Sequence, residues 1–426
     1  MSAPPRTSSE WRDLLATKGP GPAAEAWLLR LAEVDAATQR AALVGLPDTR
    51  TLRRRFEAAW ESRGLPLAGA PFLCKDVYRL RGRGIGAGTT FLAEERGPET
   101  SDASLPAAFR DDAGAVLAGG AQLNELAFGL SGENPHSGDC PHPSDPSRLS
   151  GGSSSGSAWA VGAGLVPFAL ATDTVGSIRA PATWCGAHGL RLPAGLGADD
   201  FLPLSPGFDS AGWIAGAAAD LLATAEAVLG AADRPAGRGL WLADPGADID
   251  AGTLAAMARA AGDLGAEDAA EAADLRAALA GAGEAYPVLG GAAAARAHAD
   301  LLARHAADLD PVVRARLEAG RDRSPGEIRE AEVVRARVTR ALGGCLADGW
   351  DWLALPCTAG PALRRGGHDD RARRRLLALN APASLAGLPA VAVPVALPGG
   401  GTGGIQLLAR DVPGLRALVA RVAGRS

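Results

Sequence analysis

A glycine- and serine-rich stretch, GGSSSGSA at residues 151–158, runs directly into an apolar segment and constrains the fold most strongly. The residues after it predict a helix from about Ala158, and LVPFALATD (165–173) predicts a buried strand. TVGSIRAPATW follows at once and places Ser177 in a glycine-containing turn. Two serine-bearing loops therefore bracket one helix and one strand, which is typical of an α/β fold.

Three interpretations of this stretch compete. A flexible linker would not normally lead into an apolar helix and a buried strand. A phosphate-binding loop would need a lysine after Gly156 or a strand before the glycines, and the chain has neither, since HPSDPSRLS precedes them. A catalytic loop is favoured, because the hydroxyl groups of Ser153 and Ser177 can meet across the helix and strand between them.

The use of lysine points to a third residue. Only Lys18 and Lys75 among the 43 basic residues are lysine, so arginine serves wherever a positive charge suffices. Lysine can lose its proton, whereas arginine effectively cannot. Lys18 lies in a polar turn, but Lys75 ends the apolar run PFLC, which predicts a short buried strand. Lys75, Ser153 and Ser177 together form a candidate Ser–Ser–Lys relay.

Length and composition predict one large domain. The 426 residues are 47% hydrophobic, which is ample for a sizeable core, and no linker separates two self-sufficient halves. We therefore predict a single domain over 1–426 with a mixed sheet, a helical segment at 1–65, and an Ala-rich helical insertion at 214–340 that is a candidate lid. Strands are predicted at 71–74, 115–118, 165–173, 350–356 and 390–395.

Charge, cysteine usage and hydropathy argue against a nucleic-acid-binding, a secreted or a membrane-spanning protein. The net charge is −5 without a basic stripe, so nucleic acid is not an expected ligand. The runs Arg53–Arg55 and Arg373–Arg375 fit solvated helix faces. Five scattered cysteines without a C-x-x-C pair predict free thiols in a reducing cytosol. The polar N-terminus predicts no signal peptide, and no apolar run is long enough to predict a membrane span.

Two further clusters have simpler interpretations. The spacing of His136, Asp139, Cys140 and His142 fits no common zinc pattern, so no metal is expected there. Cys185 is expected to be a small buried thiol rather than a nucleophile.

Several motifs in this order resemble the amidase signature family. GGSSSGSA and ATDTVGSIRAPATWCGAHGLR are similar to its usual form GGSSGGSA…GTDTGGSIRxPAxxCGxxGLK. PFLCKD, QLNELAFG, WDWLALPCTAGPA and NAPASLAGLPAVAVPV…GGIQLL resemble its other elements, so the resemblance covers nearly the whole chain. The GEN-x-H segment is most similar to indole-acetamide-type and related bacterial amidases. The resemblance implies a single mixed sheet covered by helices on both faces.

The resemblance also implies a reaction. Ser177 would attack an amide carbonyl and form an acyl-enzyme, with Ser153 bridging to a neutral Lys75 as general base. The Gly152–Ser153 peptide bond would be cis. Hydrolysis of a carboxylic amide would release ammonia or an amine, without a metal or an organic cofactor, in the cytoplasm.

Supporting roles follow by position. The turn that carries the nucleophile would supply backbone N–H groups as an oxyanion hole, from Thr174, Val175 and Gly176. Ser154 and Asp173 would provide supporting hydrogen bonds. Arg179 has two interpretations, since it either holds an internal carboxylate or faces an acidic group on the substrate.

Four residues depart from the family pattern without removing a catalytic atom. They are Ser155, Ala171 and Val175 in place of glycine, and His142 in place of a frequent asparagine. Val175 matters most, because valine disfavours positive φ and would narrow the approach to the oxyanion turn.

Alternatives stay open at this point. They are a ureide or allophanate-type hydrolase, the glutaminase subunit of a tRNA-dependent amidotransferase, and a pseudo-amidase binding protein in which Val175 closes the hole. The expected partner is a small-molecule amide, and a homodimer is also open.

Overall fold

The computed structural model describes residues 5–243, 246–269 and 271–424. Within these ranges one sheet of eleven strands forms the centre of the molecule. The strands are β1 Leu43–Val44, β2 Pro71–Lys75, β3 Val116–Ala121, β4 Phe168–Thr172, β5 His188–Arg191, β6 Ala211–Ala215, β7 Gly239–Trp241, β8 Ala266–Glu267, β9 Trp352–Pro356, β10 Ala390–Ala396 and β11 Thr402–Ala409.

The order of the strands in space is β1-β3-β2-β4-β6-β5-β10-β11-β9-β7-β8. Strand β2 pairs in parallel with β3 and β4, whereas β4, β6, β5, β10, β11 and β9 follow one another antiparallel. Strand β7 is parallel to β8 and β9. The predicted mixed sheet is confirmed.

Helices connect the strands and surround the sheet. They are α1 Ser8–Lys18, α2 Pro20–Ala32, α3 Ala36–Ala42, α4 Thr49–Glu61, α5 Leu92–Arg96, α6 Ser104–Ala107, α7 Ser155–Gly162, α8 Arg179–Trp184, α9 Ala218–Leu229, α10 Ala251–Asp263, α11 Glu271–Leu279, α12 Ala282–Ala297, α13 Ala299–His305, α14 Pro311–Arg321, α15 Pro325–Ala347, α16 Asp370–Leu385 and α17 Val412–Ala423. The Asp48 carboxylate accepts from Thr51 N at the start of α4, so that cap was correctly predicted.

Both faces of the sheet are covered. Successive strand residues point to opposite faces, and Leu407 and Leu408 of β11 accordingly belong to two different apolar clusters. The cluster of Leu407 includes Leu415 and Leu418 of α17, whereas the cluster of Leu408 includes Leu376 of α16. The expected architecture, a sheet between two helical layers, is confirmed.

The Ala-rich region differs in part from its prediction. It was predicted to be helical, but it also contributes β7 and β8 to the sheet. These strands are only three and two residues long, so they carry almost no alternating pattern. Likewise QLNELAFGL was interpreted as a short helix but forms only a 3-10 turn at Glu125–Ala127.

Helices α11, α12, α14, α15 and α16 pack together beside the sheet. They bring residues far apart in sequence to one end of the strands. Among the described residues, no helix combines the length and apolar character that crossing a membrane requires. The five cysteines form no disulfide within the same part of the chain.

Candidate active site

Parallel pairing of β2 and β4 places Lys75 at the centre of the site. Phe72, Leu73 and Cys74 pair with Phe168, Ala169 and Leu170 in register. Because both strands run in the same direction, their carboxyl ends meet at one edge of the sheet. This register brings the end of β2 beside Thr172 at the end of β4.

Lys75 is fully buried and has three hydroxyl partners. Its Nζ donates to Ser153 Oγ at 2.8 Å, to Ser154 Oγ at 3.0 Å and to Thr172 Oγ1 at 2.9 Å. Burial lowers the pKa of Lys75 to about 7, against the opposing charges of Asp173 and Asp209. A large fraction of this amine is therefore neutral near physiological pH.

The loop before α7 brings the serines together. The Gly152–Ser153 peptide bond is cis, as the family resemblance implied. A Cβ on Gly152 would lie 1.9 Å from Asn124 Oδ1, so only glycine fits there. Ser154 N donates to Ser177 O at 3.3 Å, which links this loop to the turn after β4. The two serine-bearing loops that the sequence predicted to meet are thus hydrogen-bonded to each other, and Lys75 contacts the first of them.

The turn over 174–177 is organised by the Asp173 carboxylate. Its Oδ1 accepts from Gly176 N at 2.8 Å, and its Oδ2 accepts from Ile178 N at 3.0 Å. In this turn Gly176 has a positive φ of 105°, whereas Val175 does not, as expected for valine. The geometry departs from the predicted oxyanion set in one respect, because the Gly176 N–H already donates to this carboxylate.

Other N–H groups of the turn remain unengaged. Those of Thr174, Val175 and Ser177 have no hydrogen-bond partner within the described part of the chain. The Thr174 hydroxyl donates to Asp209 Oδ1 at 2.6 Å, which fixes the start of the turn.

Two arginines neutralise Asp173. Its Oδ1 also accepts from Arg179 Nη2 at 2.8 Å and from Arg191 Nη1 at 2.9 Å, and all three side chains are fully buried. These cations hold the pKa of Asp173 far below its usual range despite the burial. Arg179 also donates to Gln406 Oε1 and Ser384 Oγ, so its fork contacts internal acceptors. Of the two interpretations of Arg179, these contacts match the internal carboxylate.

Ser177 lines a small cavity of about 20 Å³. Thr174, Val175 and Tyr286 are part of its wall. Arg316 and Arg373 line this cavity and also a larger neighbouring cleft of about 280 Å³. The cleft and the Ser177 cavity therefore share two cationic residues in their walls.

Several residues of this region were not predicted from the sequence. Thr172 accepts from Lys75, and Arg191 pairs with Asp173. Both residues lie in the motif ATDTVGSIRAPATWCGAHGLR, and Thr172 is next to Asp173. Their place in this motif could have indicated that they belong to the site. Tyr286 and Arg316 lie in a compositionally biased region without any motif, so no pattern pointed to them.

The run Arg373–Arg375 corrects a prediction. It was interpreted as a solvated helix face, but Arg373 is half-buried against the Ser177 cavity. Arg375 Nε donates to Ala247 O at 2.9 Å, and only Arg374 of the three is exposed. Adjacent helical residues point about 100° apart, so one run of identical residues spans both buried and solvated directions.

The histidines of the long loop have local partners. His136 Nε2 lies 2.7 Å from Glu125 Oε1, and His142 Nε2 lies 2.8 Å from Trp184 O. Among the described residues, no three His, Cys, Asp or Glu side chains are arranged to hold a metal ion.

Known proteins resemble this chain in sequence and fold. Amidase 1 of Oryza sativa subsp. japonica is 42% identical over 153 residues, which are 36% of this chain and 35% of that protein. A glutamyl-tRNA(Gln) amidotransferase subunit of Treponema pallidum (strain Nichols) is 45% identical over 133 residues, 31% and 26% of the two chains. These matches span about a third or less of each curated relative.

Solved structures match over nearly the whole length. One described as "Crystal structure of amidase" has a TM-score of 0.82 at 29% identity and covers 98% of this chain and 99% of its own. The 6-aminohexanoate cyclic dimer hydrolase complexed with substrate shares the fold with a TM-score of 0.84 at 21% identity, over 100% and 98% of the chains. The family model described as Amidase matches residues 23–238, just over half of the sequence. The chain therefore belongs to the amidase signature family.

Proposed function

We propose that this protein hydrolyses a carboxylic amide through an acyl-enzyme on Ser177 and releases ammonia or an amine. One observation carries the proposal. A buried lysine with a pKa of about 7 donates at 2.8 Å to Ser153, in a loop hydrogen-bonded to the Ser177 backbone. A neutral amine in contact with a hydroxyl is the arrangement that activates a serine without histidine.

In the proposed reaction Ser177 Oγ attacks the carbonyl carbon while its proton passes to Ser153. Ser153 gives its own proton to the neutral Lys75, which becomes an ammonium. Collapse of the tetrahedral intermediate breaks the C–N bond, and the leaving amine takes a proton back along the same path. Water then attacks the ester by the same relay and frees the acid.

The negative charge on the tetrahedral intermediate needs donors. The unengaged N–H groups of Thr174, Val175 and Ser177 are available in the turn that carries the nucleophile. One such donor is typically worth about 3 kcal/mol of transition-state stabilisation. Val175 lines the cavity and does not have a positive φ, so the valine side chain fits this turn without backbone strain. Its N–H therefore remains among the candidate donors.

The direct test is amine or ammonia release from a panel of primary amides, anilides, ureides and glutamine. We expect wild-type protein to turn over at least one of them, and Ser177→Ala to lose at least about 10³-fold in kcat. Ser137→Ala is the matched control, because the Ser137 hydroxyl has no partner among the described residues and lies outside the site. Equal turnover by wild type and Ser177→Ala would rule out the acyl-enzyme.

The panel also separates the alternatives. Preference for ureides would indicate the allophanate-type reaction, and glutamine turnover only with added partner chains would indicate the glutaminase component of an amidotransferase. A wild type that neither hydrolyses any member nor reacts with a serine-directed phosphonate would favour the binding-protein alternative. A cytosolic location and the oligomeric state stay predictions.

The pH dependence of kcat/KM should report Lys75. The amine accepts a proton only when neutral, and burial lowers its pKa to about 7. We therefore expect kcat/KM to fall about 10-fold per pH unit below 7 and to reach a plateau above about 8. The profile is measured on a neutral amide in buffers of constant ionic strength. A midpoint near 10, the value for an exposed lysine, would contradict a desolvated base.

A further inference from the structure

The inner wall of the substrate cleft carries two arginines whose charges are not balanced by an ion pair. Arg316 of α14 and Arg373 of α16 both line the Ser177 cavity and the larger cleft beside it. Within the part of the chain that the structure describes, neither guanidinium lies within 4.0 Å of a carboxylate oxygen. Two like charges at one narrow wall are costly unless an anion joins them.

Each arginine is held in place differently. Arg316 Nη1 donates to Phe128 O, and its guanidinium lies over the Phe128 ring, 5.8 Å from the centroid. The side chain of Arg373 has no hydrogen-bond partner among the described residues. Burial lowers the pKa of both groups, to about 10 for Arg316, and the charge of Arg373 lowers that of Arg316 further. Both guanidinium groups are thus partly desolvated.

Four of the five acidic side chains that line the cleft have other partners, and Glu125 Oε2 accepts from Asp310 N at 2.8 Å. Asp310 caps α14 by accepting from Val312 N at 2.6 Å, and Asp369 caps α16 by accepting from Ala372 N at 2.8 Å. Glu133 Oε2 lies 3.3 Å from His368 Nδ1. Asp370 is exposed and outside ion-pair distance of both arginines. The charges of Asp310, Asp370 and Glu133 favour the charged form of Arg316, and that of Asp370 favours the charged form of Arg373, but none of these acids forms an ion pair with either arginine within the described residues.

From this placement we propose that Arg316 and Arg373 bind a carboxylate of the substrate, so that the preferred amide is an anionic one. The proposal deepens the proposed function and rests on Ser177 being the nucleophile. A carboxylate is planar and matches the fork of a guanidinium, which gives orientation as well as attraction. Since both arginines share the cavity with Ser177, the carboxylate and the amide would be separated by only a short chain.

Matched pairs of substrates test the proposal. Malonamate, succinamate and glutaramate are compared with propanamide, butanamide and pentanamide, in which a methyl group replaces the carboxylate. We expect at least one acid to exceed its neutral partner at least about 10-fold in kcat/KM, mainly through KM. That ratio should fall about 10-fold, toward one, in Arg373→Gln, partly recover in Arg373→Lys, and persist in the exposed neighbour control Arg374→Gln.

A binding measurement keeps the two proposals separable. Isothermal titration calorimetry measures the affinity of Ser177→Ala protein for succinamate, butanamide and inorganic phosphate. Because this variant is not expected to turn the amides over, the affinities report binding at the arginine pair alone. Succinamate binding that depends on Arg373 supports the carboxylate subsite even where wild-type protein hydrolyses nothing, which would count against the proposed function alone. Equal losses for acid and neutral amide in Arg373→Gln, or binding of phosphate in preference to succinamate, would overturn the carboxylate proposal.

Discussion

Lys75→Met protein is expected to fold normally and to lose at least about 10³-fold in kcat/KM for amide hydrolysis. Methionine has a similar length and fills the same buried volume at the end of β2. It removes the amine that contacts Ser153, so the proton leaving Ser177 has no base to reach. Steady-state kinetics at pH 8 measures the loss.

Stability separates a catalytic lysine from a structural one. Burial disfavours the charged form of Lys75, as its lowered pKa shows, so removing the charge removes a desolvation cost. We expect the melting temperature at pH 6 to stay level or rise in Lys75→Met. Lys18→Met, at the exposed end of α1, is the control for both measurements. A large drop in melting temperature with kcat retained would show that Lys75 serves the fold instead.

Asp173→Ala is expected to destabilise the protein by about 3–5 kcal/mol, because it leaves Arg179 and Arg191 buried without their counter-ion. The carboxylate also accepts from three backbone N–H groups that shape the turn over 174–177, those of Gly176, Ile178 and Arg179. Activity should therefore fall together with stability. Urea denaturation at pH 7 measures the change.

A second variant covers the case in which Asp173→Ala does not fold. Asp173→Asn keeps the shape of the side chain and loses its charge, so a smaller but clear destabilisation is expected. The pKa of Asp173 is far below its usual range in the folded protein, so only the unfolded chain takes up this proton near pH 4. The ionised Asp173 carboxylate therefore adds to the free energy of unfolding above about pH 4, and this contribution is lost as the pH falls further. In Asp173→Asn the free energy of unfolding should fall less steeply with decreasing pH in that range. Asp199→Asn, on an exposed aspartate, is the control. Stability unchanged in both Asp173 variants would contradict a buried ion-pair role.

The sequence predicted the parts of the site that depend on local pattern. Ser153, Ser177 and Lys75 each stand at the boundary of an apolar element, where composition changes sharply within a few residues. Parallel pairing of two buried strands is enough to bring such boundaries to one edge of a sheet. The two serine loops and the lysine could therefore be predicted from local pattern alone.

The inner wall of the cleft could not be predicted in the same way. Tyr286, Arg316 and Arg373 lie on three helices, and only the packing of α12, α14 and α16 brings them to the Ser177 cavity. A run of three arginines does not say which one points inward, because that depends on the rotation of the helix against its neighbours. The position of Arg373 is a tertiary property.

Several strands were missed for a related reason. AGWIA in β6 and HGLR in β5 are short and contain glycine, which weakens the strand signal of a single sequence. Each lies between two hydrogen-bonded neighbours, so pairing partners stabilise a conformation that local propensity does not specify. Their place in the sheet follows from long-range contacts.

Covalent labelling tests the central claim most directly. Wild-type protein and its Ser177→Ala and Lys75→Met variants are treated with an aryl phosphonate, and intact mass spectrometry followed by peptide mapping locates the adduct. The proposed relay predicts one adduct on Ser177 in the wild type, none in Ser177→Ala, and labelling of Lys75→Met slowed at least about 10³-fold. An adduct on another residue, or wild-type labelling rates in Lys75→Met, would contradict a Ser177 nucleophile activated through Ser153 by Lys75.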